Sequence, residues 1–402
     1  MLVINYIHKA QGLDKALPLV FTMKQQEPQV NVTTVLDLEE TAVQGIPPDI
    51  LDALHELSDE VIRVENNRLF AFLQRVHKIF PVWALIPIAR LFLSQMAPAW
   101  ASGARSQPVL MLCINTANDR LIGRIIQHHV KSGRGFVAAY LKSLNDQGRG
   151  LTVVGKAKPN TGQGFHDVLL VPTRSILQKL RDSGYPDQEL LMSGYPPFFR
   201  QWRAHVVDQA RQANVGGHSR PLFVVFARGP VSHKKDGDQI ISAAMERRLL
   251  SDIVETVFER WPGATIWIKP HPYQDAAFIH SLSESRPRVS VTSLSVHRLS
   301  ALADIAISTF SSSSLDALAY GKPSIEYFVE SASFRAAHEG GSPFGAFGVA
   351  ICRTKDDLRQ SLADALPEAS KPQVLPSGAL ADIANEENVS ELLRLVRERS
   401  GD

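Results

Sequence analysis

Short, almost wholly apolar runs recur along this chain and limit the folds open to it. They include Leu2–Ile7, Pro108–Ile114, Phe136–Leu141, Asp167–Val171, Leu222–Ala227, Ala264–Ile268 and Asp304–Ile307. A strand covered on both faces reads as such a run, whereas a half-exposed strand alternates. Glycine-rich or polar loops and stretches of helical character lie between most of them. Alternation of this kind predicts βα units in parallel sheets. Val30–Leu38, β-branched and alternating, predicts a further strand in the first half, and Glu60–Val64 another.

At 402 residues the chain is long enough for two domains. The boundary is expected near Asn214–Ser219, Asn-Val-Gly-Gly-His-Ser, after an amphipathic helix. That gives an acceptor-side domain over 1–214 and a nucleotide-sugar-binding domain over 215–380. A last helix at about Ile383 to Glu398, within 381–402, is placed to cross back onto the first domain. A composition of 44% hydrophobic and 21% charged residues excludes general disorder. A net charge of +2 indicates no nucleic-acid partner. The two cysteines, Cys113 and Cys352, sit in apolar runs and form no zinc spacing or disulfide framework. The N-terminus turns polar too soon for a signal peptide, so a reducing cytoplasm is expected. Phe80–Trp100 is the most apolar stretch, but Arg90 and three prolines interrupt it. It reads as a core helix of the first domain, or as a surface for a membrane or a lipid-linked acceptor, with Arg75, His77 and Lys78 before it.

In the second half, four consecutive serines, Ser311–Ser314, follow the strand that ends at Ile307 and open a helix stopped by Gly321 and Pro323. A helix start offers unpaired N–H groups, and hydroxyls beside it make a site for phosphate. One serine would suffice as an ordinary N-cap. His271 lies between Pro270 and Pro272 directly after a strand and Lys269, so its backbone is restrained. An imidazole there could stabilise charge developing on a leaving phosphate, as a cation or as an N–H donor. The loop after Leu222–Ala227 carries Arg228, His233, Lys234 and Lys235, and Arg228 or Lys234 could neutralise a phosphate or carboxylate. Asp236-Gly237-Asp238 has the form of a metal-binding motif but reads better as the N-cap of a helix from about Gln239 to Arg260. Glu326, in the strand after Lys322-Pro323, could hold a ribose hydroxyl or face solvent.

Lys269-Pro270-His271-Pro272, followed about forty residues later by Ser308-Thr309-Phe310 and Ser311–Ser314 and then by Gly321-Lys322-Pro323, resembles the nucleotide-binding half of GT-B glycosyltransferases. It most closely resembles the bacterial families that use CMP-activated 2-keto sugars, namely sialyl-, polysialyl- and Kdo transferases. The resemblance spans roughly residues 220–330 and implies that His271 and Ser311–Ser314, foremost Ser312 and Ser313, bind the donor phosphate. CDP-glycerol and CDP-ribitol transferases are also similar, and UDP-GlcNAc 2-epimerases more distantly. The former usually carry an acidic-aromatic pair where this chain has Thr309-Phe310.

The expectation is therefore an α/β, GT-B-type chain of two Rossmann-like parallel-sheet domains facing a cleft. It would move a sugar such as Kdo or a sialic-acid-like nonulosonate from a CMP-activated donor to a bacterial surface glycan or glycolipid. The CMP-sugar is a co-substrate, and no cofactor or metal is expected. The site residues are Arg228, Lys269, His271, Pro272, Ser311, Ser312, Ser313, Ser314 and Glu326. The place is the cytoplasm, at the inner face of the membrane if the acceptor is lipid-linked. A CDP-polyol phosphotransferase, or a non-catalytic nucleotide-sugar-binding protein, is the alternative. The acceptor's general base belongs to the first domain. Asp14, His8, Glu39, Glu40 and Asp119 stand at strand ends there, and Asp14 is foremost.

Overall fold

The computed structural model describes residues 1–65, 107–114, 120–133, 135–141, 166–212, 219–229, 231–232, 239–271, 277–330, 342–369 and 387–401. Phe80–Trp100, Asp119, Lys234, the Asp-Gly-Asp motif and Pro272 lie outside them. The chain divides into two compact units, 1–202 with 382–402, and 203–381.

In the first unit the strands are β1 (Leu2–Ile7), β2 (Asn31–Leu36), β3 (Glu60–Arg63), β4 (Val109–Ile114), β5 (Phe136–Tyr140), β6 (Val168–Val171) and β7 (Leu190–Met192). They form one parallel sheet in the order β3-β2-β1-β4-β5-β6-β7. The helices are α1 (Leu13–Gln26), α2 (Glu40–Gln44), α3 (Pro48–Leu57), α4 (Leu121–Ser132), α5 (Arg174–Asp182) and α6 (Arg200–Gln212), in which the boundary between the units falls.

The second unit holds β8 (Leu222–Phe226), β9 (Val231–Ser232), β10 (Gln239–Ile241), α7 (Ala243–Arg260), β11 (Thr265–Lys269), α8 (Ala277–Ser285) and β12 (Val289–Val291). Then come α9 (Val296–Leu302), β13 (Ile305–Ser308), α10 (Ser313–Ala319), β14 (Ser324–Tyr327), β15 (Ala350–Cys352) and α11 (Lys355–Ala369). Its parallel sheet runs β12-β11-β8-β13-β14-β15, with β9 and β10 a separate antiparallel pair. Alternate residues of β8 enter different cores. Phe223 and Val225 pack with Leu250 and Ile253, while Leu222, Val224 and Phe226 pack with Leu299 and Ala317. This two-sided burial is why the strands are apolar throughout.

The helix expected from Gln239 begins later. Gln239–Ile241 pairs with β9, and Ser242 caps α7 by accepting from the Met245 amide at 3.1 Å. The cap is thus Ser242 and not the Asp-Gly-Asp motif. A β-branched pair suits a strand, and serine is a strong N-cap, so the boundary follows local chemistry.

In both sheets the first strand has the second on one side and the fourth on the other. Chain order therefore reverses between β1 and β4, and between β8 and β13. In open α/β sheets, ligands bind outside the carboxyl ends of strands at such a point. No helix among the described residues is long and apolar enough to cross a membrane.

The terminal helix α12 (Glu387–Ser400) belongs to the first unit. Val389, Leu392, Leu393 and Val396 are buried, at the spacing of one helix face. The Asn388 side chain donates to the Met192 carbonyl, and Ser390 donates to Gln26 at 3.0 Å. Leu393→Ala should cost about 2–5 kcal/mol of unfolding free energy, read by urea denaturation. A cost under about 0.5 kcal/mol, the range of surface changes, would mean that the helix is not packed there.

Candidate functional site

Three loops leave the carboxyl ends of β8, β11 and β13, the strands around the reversal point of the second sheet. Backbone bonds tie them together. The Ala227 amide donates to Lys269 O at 3.1 Å, and the Thr309 amide to Phe226 O at 3.2 Å. The Arg228 amide donates to the Thr309 hydroxyl at 2.8 Å, which joins the loops on either side of the reversal. Thr309 is fully buried, so that hydroxyl is a fixed part of the floor.

Phe310 follows in the left-handed region, with φ of 59°. For a residue with a Cβ this conformation costs roughly 1–3 kcal/mol and persists only where the surroundings impose it. Here the ring stacks on Phe328 at 5.1 Å and lies 6.1 Å from Phe344. Its other neighbour is the Arg228 guanidinium, 5.8 Å from the ring centre. The strained residue thus turns the chain sharply into the serine run and supports the cation beside it.

Arg228 is half-buried, and burial lowers its pKa, although a guanidinium remains charged. Its Nε has no hydrogen-bond partner among the described residues. His271 is half-buried near it. Burial first, and then the Arg228 charge, lower the His271 pKa, which favours the neutral ring, able to donate an N–H, over the cation. Lys269 ends β11 half-buried.

The serine run differs from its expected form. α10 starts at Ser313, and its first amides are already engaged. Ser314 N donates to Ser311 O at 3.2 Å, Leu315 N to Ser312 O at 3.0 Å, and Ser313 N to Ser311 Oγ at 3.3 Å. This tight turn satisfies donors that a freely ending helix would leave open. Nor do the hydroxyls behave as ordinary caps. Ser312 occupies the N-cap position without a side-chain capping bond. Ser314 is fully buried, and its hydroxyl donates to Ser311 O at 2.8 Å. Ser311, Ser312 and Ser313 are half-buried. The Ser311 hydroxyl donates to the Ser313 hydroxyl at 3.2 Å, so the half-buried hydroxyls of the turn are tied to one another. At the far end of α10, the buried Arg203 side chain donates to the Ala319 carbonyl and fixes the helix.

Glu326 lies in β14, fully buried, so it does not face solvent. Neither carboxylate oxygen makes a hydrogen bond of good geometry among the described residues, and the Ser342 side chain is near enough to interact only weakly. Burial pushes its pKa up to about 7, against the pull of nearby Ser342 and Arg353.

In the first unit, Asp14 is the second residue of α1, half-buried, with its charge felt by Tyr140. Glu39 is the N-cap residue of α2 and Glu40 its first residue, both exposed. His8 is buried and stacks on Tyr6. Sequence reasoning missed Thr309 and Phe310 as site-builders, and also the buried bond between Tyr6 and Asp37 in the first unit. The available signal for Asp37 was its position two residues beyond Val35 in an alternating strand.

No protein-family model matches the chain, and no curated protein sequence does. Solved structures do match. The UDP-GlcNAc 2-epimerase from Neisseria meningitidis, bound to UDP-GlcNAc, aligns with a TM-score of 0.57 at 11% identity, over 99% of this chain and 100% of its own. The Methanocaldococcus jannaschii UDP-GlcNAc 2-epimerase, in complex with UDP-GlcNAc and UDP, gives 0.56 at 11% identity, covering 99% and 100%. A variant of the wall teichoic acid polymerase TagF gives 0.56 at 12% identity, covering 100% and 89%. None of the three is named as a CMP-sugar transferase. What they share with this chain is the fold, two parallel-sheet α/β domains of the GT-B type.

Glu326 generates a prediction with a definite sign. Its folded pKa stands above its ordinary 4.5, so the folded state binds more protons between about pH 4.5 and 7, and stability falls as pH rises through that window. Glu326→Gln should remove that loss, which amounts to about 3 kcal/mol at most. Melting of both proteins at pH 5 and pH 8 checks it. The variant should gain on the wild type at pH 8, and an unchanged gap would contradict the burial of an uncompensated carboxyl.

Proposed function

We propose that this chain is a glycosyltransferase that takes a sugar from a nucleotide donor, a CMP-activated 2-keto sugar by the motif resemblance, and passes it to a glycan or lipid-linked glycan acceptor. The observation that carries the reading is the Arg228 guanidinium, held half-buried at the reversal point of the second sheet with Nε unpartnered among the described residues. A buried N–H donor left without an acceptor costs stability, and an anion arriving at this guanidinium would supply one. His271 and the hydroxyls of Ser311, Ser312 and Ser313 belong to the adjoining loops.

In this reading the donor phosphate is met by Arg228, by the neutral His271 as hydrogen-bond donor, and by the serine hydroxyls. Lys269 and Pro272 flank the histidine; Glu326, expected from the sequence to hold a ribose hydroxyl, is fully buried in β14 and takes no direct part. Ser314, fully buried, shapes the turn from within. As the bond between sugar carbon and phosphate oxygen breaks, charge grows on the phosphate, and fixed donors stabilise it most at that moment. Protein cations and hydroxyls supply this without a metal. By the family resemblance the base that takes the acceptor proton is a carboxylate of the first domain, with Asp14 the foremost candidate. A lipid-linked acceptor would place the reaction at the inner face of the cytoplasmic membrane.

A second reading, transfer of a polyol phosphate from a CDP donor, draws on the structural likeness to a wall teichoic acid polymerase. A thermal-shift panel of CMP, CDP, UDP and GDP separates the readings. A ligand that binds only the folded state raises stability by RT ln(1 + [L]/Kd), about 2.7 kcal/mol at a hundred times Kd. CMP should stabilise the protein. Stabilisation by UDP or GDP but not CMP would sink the donor assignment, and stabilisation by CDP alone would favour polyol phosphate. His271→Ala should lower turnover of a CMP-sugar about a hundredfold while leaving the fold intact. Turnover near the wild-type rate would remove His271 from the mechanism.

A further inference from the structure

Two consecutive residues of the β13 loop hold the two ends of one arginine in the β8 loop. The Thr309 hydroxyl accepts from the Arg228 amide at 2.8 Å, and the Arg228 guanidinium lies over the Phe310 ring, 5.8 Å from its centre. Extended backbone would send these two side chains to opposite faces, since successive residues of a strand alternate. Phe310 leaves the extended path at φ of 59°, and among the described residues it alone has a positive φ without being glycine. The turn brings its ring to the same arginine that Thr309 meets. The ring is then fixed from behind. Phe328 stacks on it at 5.1 Å and Phe344 lies tilted at 6.1 Å, and both are fully buried. The Phe328 amide donates to Cys352 O at 3.0 Å, which ties that support to the sheet.

A sharp turn by itself does not call for this residue. Glycine takes a positive φ without steric cost, and asparagine or aspartate visits it more readily than an aromatic residue does. Phenylalanine keeps the strain, and what it adds over glycine is the ring. Strained residues of this kind persist where the surroundings over-determine them, and they cluster at ligand sites. No acceptor among the described residues bonds Arg228 Nε, so on that side no protein hydrogen bond orients the guanidinium. The contact that does orient it is the ring. A guanidinium held by its face against an aromatic ring keeps its N–H donors in the plane, directed away from the ring.

We infer that Phe310 is a positioning residue, whose left-handed backbone and ring hold the Arg228 guanidinium ready for a phosphate and so make the site prefer a nucleotide to its nucleoside. The inference rests on the phosphate reading above. Thr309 sets where the arginine's backbone sits, and Phe310 sets where its charge sits. Phe310 acts through Arg228 and does not itself touch the ligand. A guanidinium that is ordered beforehand loses less freedom on binding than one the ligand must immobilise, a difference of roughly two- to tenfold in Kd.

The test is calorimetric binding of CMP and of cytidine to the full chain, at one pH, with the ratio of the two Kd values as the readout. Both ligands share the nucleoside, so a general loosening of the fold does not move the ratio. Phe310→Leu keeps an apolar side chain against Phe328 and Phe344, and should lower the preference for CMP by about two- to tenfold. Phe310→pentafluorophenylalanine keeps the ring's shape and removes its attraction for a cation. It should lower the preference in the same direction, and it decides the matter if Phe310→Leu does not fold. Once Arg228→Ala has removed the guanidinium, adding Phe310→Leu should change the ratio no further, since the two residues act as one unit. A wild-type preference for CMP in either folded Phe310 variant would overturn the inference. So would an equal fall on Phe310→Leu with and without Arg228. A wild type that binds CMP no better than cytidine would instead refute the phosphate reading itself, and the inference with it, so the two failures are distinguishable.

Discussion

The hydrogen bond from the Arg228 amide to the Thr309 hydroxyl is the constraint on which the second unit's site depends. It joins the loops of β8 and β13 at the point where the order of strands reverses. Parallel strands diverge beyond such a point, and the crevice between them is a property of the topology. What this sequence adds is the means to hold the crevice's rim. A buried threonine fixes one loop to the other, a left-handed phenylalanine turns the chain toward the serines, and two aromatic rings, Phe328 stacked and Phe344 tilted, hold that strained residue. The cation rests against the same ring. Removing the threonine hydroxyl or the phenylalanine ring would therefore disturb the position of Arg228 as well as the turn.

Buried polar groups without partners are the other common thread. Arg228 Nε has no hydrogen bond and the Glu326 oxygens none of good geometry among the described residues. Each such group opposes folding, because the water it gave up is not replaced. Strands such as β4 and β8, by contrast, bury apolar side chains on both faces. Departures from that economy at strand ends are where binding chemistry is expected.

Much of the architecture was legible because two-sided burial writes itself into the sequence. Leu222–Phe226 and Val109–Ile114 could hardly be anything but covered parallel strands, and their spacing left room for helices. The His271 turn and the serine run were visible for the same reason, each standing directly after such a strand. The local geometry was not legible. Nothing in Thr-Phe-Ser-Ser-Ser-Ser announces a left-handed phenylalanine, since aromatic packing from Phe328 and Phe344 imposes it. The serine amides are closed by a tight turn, where a helix start with open donors was expected. Gln239 joined a hairpin because its partner, β9, lies across a loop, and a helical pattern cannot register that pairing. Asp37 fell inside the expected strand Val30–Leu38 and was not singled out, since nothing local shows that the Tyr6 hydroxyl meets it.

The most direct test of the phosphate site is to compare binding of CMP with binding of cytidine by calorimetry, in the wild type and in Arg228→Ala. Hydrogen bonds to a charged group contribute about 1.5–3 kcal/mol, or roughly ten- to a hundredfold in Kd. If Arg228 and its neighbours hold the phosphate, CMP should bind tighter than cytidine by at least that factor, and the alanine variant should lose the difference. Equal binding of nucleotide and nucleoside, or a difference that survives the loss of Arg228, would contradict the account.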